Sequence, residues 1–498
     1  RYITPKNVNY FWLDMKDATV AYYWSGISRG DFPRRVFFLN SEKSLDIIII
    51  TLQCYYNIKI ITSKGSYMHL HEFNPWWKTS RVPEGLLGTR REIFEKILSF
   101  FDYRQIIMLF GMRRAGKTTL MYQLIDYLLK KGKGRSFCIL YFSFDEQAFS
   151  LNEILETYQQ DIVKHRLDEE KRIYLFLDEV QKLDNWFNKV KLIYDRYPNF
   201  KIILSGSAAP ILKNEIKESL AGRFFEFCVE PFTFDEFIEF KGISIDKTRE
   251  NLYKVEIINL FQEYLKKGGF IESIDFDDFA LKKYFRESLL ERVIFKDIPE
   301  SFTINRPQLL FRLLEITAYM PGMYLDYSSL GDDLKVDQRT ISNYVSCLDY
   351  SLLITKLYNF SSNRLTSEKK LKRVYLSNTG FTSALRSDEP DYHSLLEGYF
   401  ANLFKARFFY RSPQKEEVDL VIDDYRRILP VEIKIRKNVK MRDLKPLVRF
   451  AKRFKCRQCL VISRDDERVE KVGDLNLTIL PFWRHWSILN EVIGATGQ

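Results

Sequence analysis

The sequence predicts an α/β protein in successive parts: a first α/β domain built on a parallel sheet, a helical middle, and a second α/β domain. Three observations carry this. Between residues 87 and about 230, apolar strands alternate with amphipathic helices, the pattern of a parallel sheet covered on both faces. From 231 to 360 the pattern is mainly helical with short turns. From Glu397 a helix is followed again by short apolar strands. Hydrophobic residues make up 46% of the 498 and aromatics 15%, which supplies buried cores and excludes a mainly disordered chain. The net charge of +11 permits a polyanionic partner. Of the six cysteines only Cys456 and Cys459 are close, and no second ligand pair completes a zinc ribbon, so ordinary thiols of a reducing cytoplasm are expected. No run reaches the roughly 18 to 20 apolar residues of a membrane span, and no signal peptide is visible. A cytoplasmic location without a membrane partner is therefore expected.

Residues 1–67 read differently from the rest. They hold nine isoleucines and seven tyrosines, with poor periodicity and no motif. One reading makes Met68 the true start and 1–67 translated upstream sequence, since Ile, Tyr, Asn, Lys and Phe are residues of AT-rich codons. The other is a genuine N-terminal extension. Beyond Met68 the expected strands are Ile106–Phe110, Phe137–Ser143, Ile173–Leu177 and Lys201–Ser205, with helices over 117–131, 151–166, 184–197 and 210–220.

Gly111-Met112-Arg113-Arg114-Ala115-Gly116-Lys117-Thr118-Thr119 fits G-x-x-x-x-G-K-[ST]. It follows the apolar strand IIMLF and opens an apolar-periodic helix, the context a P-loop requires. The glycines let backbone N–H groups turn toward phosphate, and the helix N-terminus adds its positive dipole end. Lys117 should reach the β and γ phosphates, and the Thr118 hydroxyl should ligate Mg²⁺. The strand IYLFL then ends in Asp178 and Glu179. Asp178 would hold Mg²⁺ through its water shell, and Glu179 would polarise the attacking water. The next strand ends in Ser205-Gly206-Ser207, where a polar residue can sense the γ-phosphate. Arg223 is a candidate for neutralising transition-state charge, in cis or from a neighbouring subunit of a homo-oligomer. A plain surface arginine is the alternative.

The set GMRRAGKTT, LFLDEV, LSGSAA, LAGRFFEF, EPFTFDEF and YLKKGGF resembles a family of archaeal and bacterial AAA-like P-loop ATPases, near the STAND class of nucleotide switches. The resemblance runs from about Met68 to the C-terminus. It implies a winged helix and a PD-(D/E)XK nuclease-like domain after the ATPase. In residues 326–357 two short helices flank a turn at Lys335-Val336, with Asp337 a good N-cap for the second. Ile341, Val345 and Leu348 would face the core, and Arg339, Thr340 and Asn343 would face outward. A basic wing with Lys369, Lys370, Lys372 and Arg373 follows. Such modules bind DNA or other proteins, and both readings stay open.

The last domain carries Glu397 on a helix, Asp419 on one strand, and Glu432 with Lys434 on the next, an order that resembles the nuclease pattern. Asp419 and Glu432 can share a second divalent metal, with Glu397 helping. Lys434 can act on the attacking water. The same fold also serves without catalysis, so cleavage stays open. From Lys434 to Arg457 eleven lysines and arginines face one acid, Asp443, which favours a DNA phosphate backbone as partner. Five parts are thus expected: an uncertain extension at 1–67, the ATPase core at 68–230, a helical lid at 231–300, a winged helix at 301–376 and the nuclease-like domain at 377–498. The function expected is a Mg²⁺-dependent ATPase coupled to a DNA-related C-terminal module. The alternative is a non-catalytic ATP switch whose C-terminal domain only binds a partner.

Overall fold

The computed structural model describes residues 69–132, 135–145, 149–207, 222–363, 367, 371–424 and 427–496, together with the backbone of five short strands between 12 and 62. The expected helix at 210–220 and the wing residues Lys369 and Lys370 lie outside the described residues. The chain divides into two units, 1–74 with 150–165, and 75–149 with 166–498.

In the first unit, where poor periodicity gave no expectation of strands, Trp12–Met15, Ala18–Tyr23 and Val36–Asn40 form an antiparallel sheet. Ile48–Gln53 pairs with Asn57–Thr62 as a hairpin. The same unit holds the helix Leu151–Thr157. There Ser150 and Glu153 form a reciprocal capping box that satisfies two of the orphan N–H groups at its start.

The second unit contains two sheets. The first has strands β1 (Ile106–Gly111), β2 (Ile139–Ser143), β3 (Ile173–Asp178), β4 (Phe200–Ser207) and β5 (Phe224–Val229), all parallel, in the order β5-β1-β4-β3-β2. Strands β1 and β3 are buried along their whole length, as continuous apolar runs covered on both faces must be. Sequence reasoning missed β5, whose FFEFC run lacks a clear period. Its carbonyls sit so close to β1 that a Cβ at Gly111 would lie 2.1 Å from the Val229 carbonyl oxygen. Helix α1 (Lys117–Lys130) follows β1, and α2 (Trp186–Arg196) leads into β4.

After β5 come α3 (Phe234–Phe240), capped by Thr233 and Glu236, and α4 (Lys254–Lys267). Two segments of the family-like motifs meet here. A Cβ at Gly269 would lie 2.2 Å from the Phe232 carbonyl oxygen, a close backbone approach, and one at Gly268 would lie 2.2 Å from the side-chain Oδ1 of Asn378. Helices α5 (Pro307–Tyr319), α6 (Tyr327–Leu334) and α7 (Gln338–Tyr350) follow. Asp337 caps α7 by accepting from the Thr340 N–H at 3.0 Å, and Ile341, Val345 and Leu348 are buried, as expected.

The second sheet has nine strands: β6 (Met323–Tyr324), β7 (Ile354–Asn359), β8 (Lys372–Leu376), β9 (Phe408–Arg411), β10 (Glu417–Asp423), β11 (Ile428–Lys434), β12 (Gln458–Ser463), β13 (Arg468–Val472) and β14 (Leu475–Pro481). Their order is β6-β8-β7-β9-β10-β11-β12-β14-β13. The antiparallel pair β7/β8 continues into β9 through Tyr358↔Phe408, so one sheet runs across the boundary expected near 376/377. One face packs on α3, α4, α8 (Tyr392–Leu403) and α10 (His485–Thr496), with Phe234, Phe261, Phe400, Leu420, Val431 and Trp486 in one core. The other face packs on α9 (Lys445–Arg453) through Leu447 and Phe450. Among the described residues no helix is long and apolar enough to cross a membrane.

Candidate functional site

The P-loop turns at the C-terminal end of β1. Arg114 has φ 62° and Gly116 has φ 89°, and the second of these favours glycine. Lys117 is buried and its Nζ donates to the carbonyls of Gly111 at 3.3 Å and Met112 at 2.9 Å, bending back over the loop it follows. Asp178 ends β3 beside it. Its Oδ2 accepts from the Thr118 hydroxyl at 2.7 Å and from the Tyr141 hydroxyl at 2.9 Å. Its Oδ1 accepts from the Glu179 N–H at 3.0 Å and from the Ser205 hydroxyl. Burial, and then the Asp178 charge, push the Tyr141 phenol up, so it stays protonated and remains a donor. Among the described residues Asp178 has no ion pair: every partner is a neutral donor. Glu179 stands at φ 53°, a strained conformation for a non-glycine residue, and Gln181 donates to its carboxylate.

Ser205 is fully buried and serves Asp178, whereas Ser207 lines a cavity of about 20 Å³ with Gly111, Met112, Arg113, Asp297 and Ile298. That is room for about one water. Asp297 comes from the helical middle and takes the Arg113 guanidinium at 3.1 Å. Arg114 reaches Glu272 at 3.8 Å and lies over the Tyr284 ring. Both loop arginines therefore face partners from 270–300.

Arg223 is not brought to this site. It precedes β5, whose Phe224 pairs with Ile106 and whose Val229 pairs with Gly111. It thus lies at the opposite end of the sheet, roughly 20 Å from the loop at about 3.3 Å per residue. There it bonds Asp195 at 3.2 Å. Action in cis is excluded by that distance.

Arg91 was not singled out by sequence reasoning, yet it holds the loop from behind. It donates to the Ala115 carbonyl at 3.1 Å and the Glu230 carbonyl at 2.8 Å, and binds both carboxylate oxygens of Glu236 on α3 at 3.0 and 2.8 Å. Asp235, next on α3, accepts from the Trp486 indole N–H at 2.6 Å. The P-loop is thus connected through α3 to the last helix of the C-terminal sheet. The arginine pair in GTRREIF was the only trace of this in the sequence.

The C-terminal quartet does come together. Lys434 Nζ lies 2.5 Å from Glu432 Oε1 on the same face of β11. Asp419 Oδ2 accepts from the Ile433 N–H at 2.8 Å, and Glu432 Oε2 accepts from the Asp419 N–H at 3.4 Å. A bulge re-aims Asp419: Phe408 pairs with Val421 and Tyr410 with Val418, so β10 carries an extra residue there. Glu397 arrives on α8 and is buried. Two residues of β8 join the quartet. Arg373 Nη1 lies 2.9 Å from Glu397 Oε1 and 3.9 Å from Asp419 Oδ1, and the Tyr375 hydroxyl donates to Glu397 Oε1 at 2.6 Å. This corrects the reading of Arg373 as part of an outward basic wing. Burial first, and the Asp419 charge second, push Glu397 up to about 7 and Glu432 up to about 8. Burial alone would lower Lys434, but Asp419 and Glu432 outweigh it and hold it above its ordinary value.

The surfaces expected to meet DNA differ. Along 326–350 the described helices carry five acids (Asp326, Asp332, Asp333, Asp337, Asp349) against Lys335 and Arg339, which disfavours phosphate. Arg339 and Asn343 are exposed, while Thr340 is tied to Asp337. On α9 the outward Arg449 binds Glu416 and Arg453 donates to the Tyr410 hydroxyl, whereas Lys445, Lys452, Lys455 and Arg457 form no ion pair among the described residues.

Three family models match successive parts of the chain. Residues 103–238 match a family model described as an AAA domain. Residues 258–392 and 393–484 match two models, each described as a domain of unknown function (DUF8612 and DUF4143). Two uncharacterized proteins of Methanocaldococcus jannaschii are similar. MJ1544 is 26% identical over 402 residues, 77% of this chain and 88% of that protein. MJ1637 is 29% identical over 423 residues, 78% of this chain and 85% of that protein. Among solved structures, the Walker-type ATPase PABY2304 of Pyrococcus abyssi is 16% identical with a TM-score of 0.34, over 60% of this chain and 95% of that one. The match over residues 103–238 shows an AAA-like P-loop ATPase domain in that part of the chain.

Proposed function

We propose that the protein is a Mg²⁺-dependent ATPase whose nucleotide state is passed to a DNA-binding, nuclease-like C-terminal module. The observation that carries the first half is the hydroxyl–carboxylate pair of Thr118 and Asp178, 2.7 Å apart at the mouth of the P-loop. Mg²⁺ takes hard oxygen ligands, and this pair supplies two of them with the Asp178 charge unmatched by any described cation. Held there, the ion would neutralise phosphate charge. The chain's own groups would do the rest. Loop N–H groups and Lys117 would bind the β and γ phosphates, with Lys117 exchanging two carbonyls for phosphate oxygens. Tyr141 and Ser205 would fix the Asp178 carboxylate. Glu179 would take the proton of the attacking water. Ser207 would face the γ-phosphate. Entry of a triphosphate would require the segment around Asp297 to withdraw, because the space beside the loop holds about one water. Arg223 would act only from a neighbouring subunit of a homo-oligomer.

The second half rests on the path from Arg91 through α3 to Trp486 and on the unpaired cations near α9. A winged-helix role for α6, α7 and the β7/β8 pair suits a protein partner better than DNA, given the acidic excess there. One observation favours the switch reading over cleavage: the acids of the quartet are already engaged by Arg373 and Lys434. ATP hydrolysis by the full chain, with and without single-stranded, duplex and branched DNA, tests the whole proposal. DNA stimulation supports the coupled reading. Slow turnover indifferent to DNA supports the switch. Absence of ATP binding rejects both.

A further inference from the structure

The quartet in its nuclease-like order implies a divalent metal, and the donor set can be tested against one. Among the described residues, one acid and histidine group brings three ligand atoms within 4.8 Å of one another, His69, His71 and Glu72, and not Glu397, Asp419 and Glu432. The cluster as folded does not fit a metal. A different cation stands in it. Arg373 is 8% exposed, and its Nη1 lies between Glu397, at 2.9 Å, and Asp419, at 3.9 Å. Its Nη2 donates to the Tyr324 hydroxyl at 3.2 Å and to the Glu417 carboxylate. Glu417 is in turn held by Arg411 at 3.2 Å. On the other side Lys434 takes Glu432 at 2.5 Å.

We propose that Arg373 is the resident cation of the C-terminal carboxylate cluster, supplying to Glu397 and Asp419 the positive charge that a divalent metal would supply in the nuclease-like pattern. The chemistry of the two cations differs. A guanidinium supplies a permanent charge and five donors in a plane, and it matches carboxylates well. It has no acceptor orbital for water and cannot lower the pKa of a bound water as a metal does. With Arg373 in place the cluster is a folded, charge-matched joint between β8, α8 and β10 and not a hydrolytic centre. Buried carboxylates need such a partner, since an unpaired buried charge is strongly destabilising. Arg373 and Tyr375 are two apart on β8 and reach the same Glu397 oxygen, so this one strand supplies both donors. On this proposal Arg373 and a divalent metal compete for the same carboxylates. This inference uses the C-terminal cluster alone, and its failure would leave the ATPase reading untouched.

The experiment is a titration of nucleotide-free full-length protein with Mn²⁺, following the electron paramagnetic resonance signal of free Mn²⁺. The parent should hold no Mn²⁺ that Asp419→Asn removes. Arg373→Gln should take up one Mn²⁺ per chain at least about tenfold more tightly than the parent, and adding Asp419→Asn should abolish that uptake. Tight, Asp419-dependent Mn²⁺ binding by the parent would overturn the proposal whatever the variants do. So would a folded Arg373→Gln protein whose affinity stays within about twofold of the parent. Should Arg373→Gln fail to fold, Arg373→Lys replaces it. A lysine keeps one charge but cannot make both contacts, so uptake should rise above the parent, and unchanged uptake counts against the proposal.

Discussion

The two acidic centres of this molecule look alike in sequence and differ in how their charge is matched. Asp178 ends an apolar strand and is surrounded by the Thr118, Tyr141 and Ser205 hydroxyls and a backbone N–H. Each positions the carboxylate without cancelling its charge. Asp419, Glu397 and Glu432 lie within β10, α8 and β11, and the Arg373 guanidinium and the Lys434 ammonium lie among them. On the proposed reading, the first centre receives its cation from solution with the nucleotide. The second already contains its cations. An acidic motif therefore reports a need for positive charge, and only its neighbours show whether the protein has met that need.

The largest effect expected is at the P-loop. Lys117→Ala should weaken ATP binding about 100-fold, since it removes the loop's side-chain cation from the phosphates. Equilibrium binding of a fluorescent ATP analogue measures this, and affinity within about twofold of the parent would disqualify the loop as the phosphate site. Glu179→Gln should keep binding and slow hydrolysis by about 100-fold or more, because the amide cannot accept the proton of water. Single-turnover hydrolysis checks it.

The comparison itself is sharpest in a matched pair. Asp178→Asn should abolish Mg²⁺-supported hydrolysis while leaving thermal stability close to the parent. Asp419→Asn should leave hydrolysis unchanged and cost about 1–3 kcal/mol of stability, since Arg373 loses a buried counter-charge. The reverse pattern in melting and turnover experiments would mean that the two centres have been assigned the wrong way round.

A smaller effect lies in pH. Glu397 and Glu432 are raised above the ordinary 4.5 to about 7 and about 8, so between those limits the native state binds more protons than the unfolded chain. Stability from this source is present at low pH and falls as pH rises from about 4.5 to about 8. Glu432→Gln should flatten that slope in melting curves, and an unchanged slope would place the titration elsewhere. The smallest effect is at Arg223. Arg223→Ala should leave monomeric turnover within about twofold, given its distance from the loop. A loss confined to the assembled protein, recovered by mixing with Glu179→Gln, would locate it at a subunit interface.

Much of the ATPase site was legible because a P-loop is local. A strand, a glycine turn and a helix start lie within fourteen residues, and the hydrophobic period marks both flanks. Asp178 was legible as an acid at the end of a later apolar run. Strand β5 was not, because an edge strand needs burial on only part of its length and shows no clean period. Arg91 and Asp297 escaped for another reason: each reaches the loop from far along the chain, 24 residues away to Ala115 in one case and 184 to Arg113 in the other. The bulge that turns Asp419 into the cluster is a single extra residue in a ladder, with no signature in composition.

By itself the sequence marked the glycine loop, the acids at the end of β3 and the four residues of the C-terminal quartet. These follow from spacing along one segment, where 3.6- and 2-residue periods set which side chains share a face. Tertiary structure alone decided that Arg373 leaves the wing and enters the quartet, that Arg223 sits at the far end of the sheet, and that Arg91 joins the loop to α3. Those outcomes depend on how strands from distant segments pair in register. A shift of one residue in such pairing moves every side chain to the other face, and no local pattern specifies it.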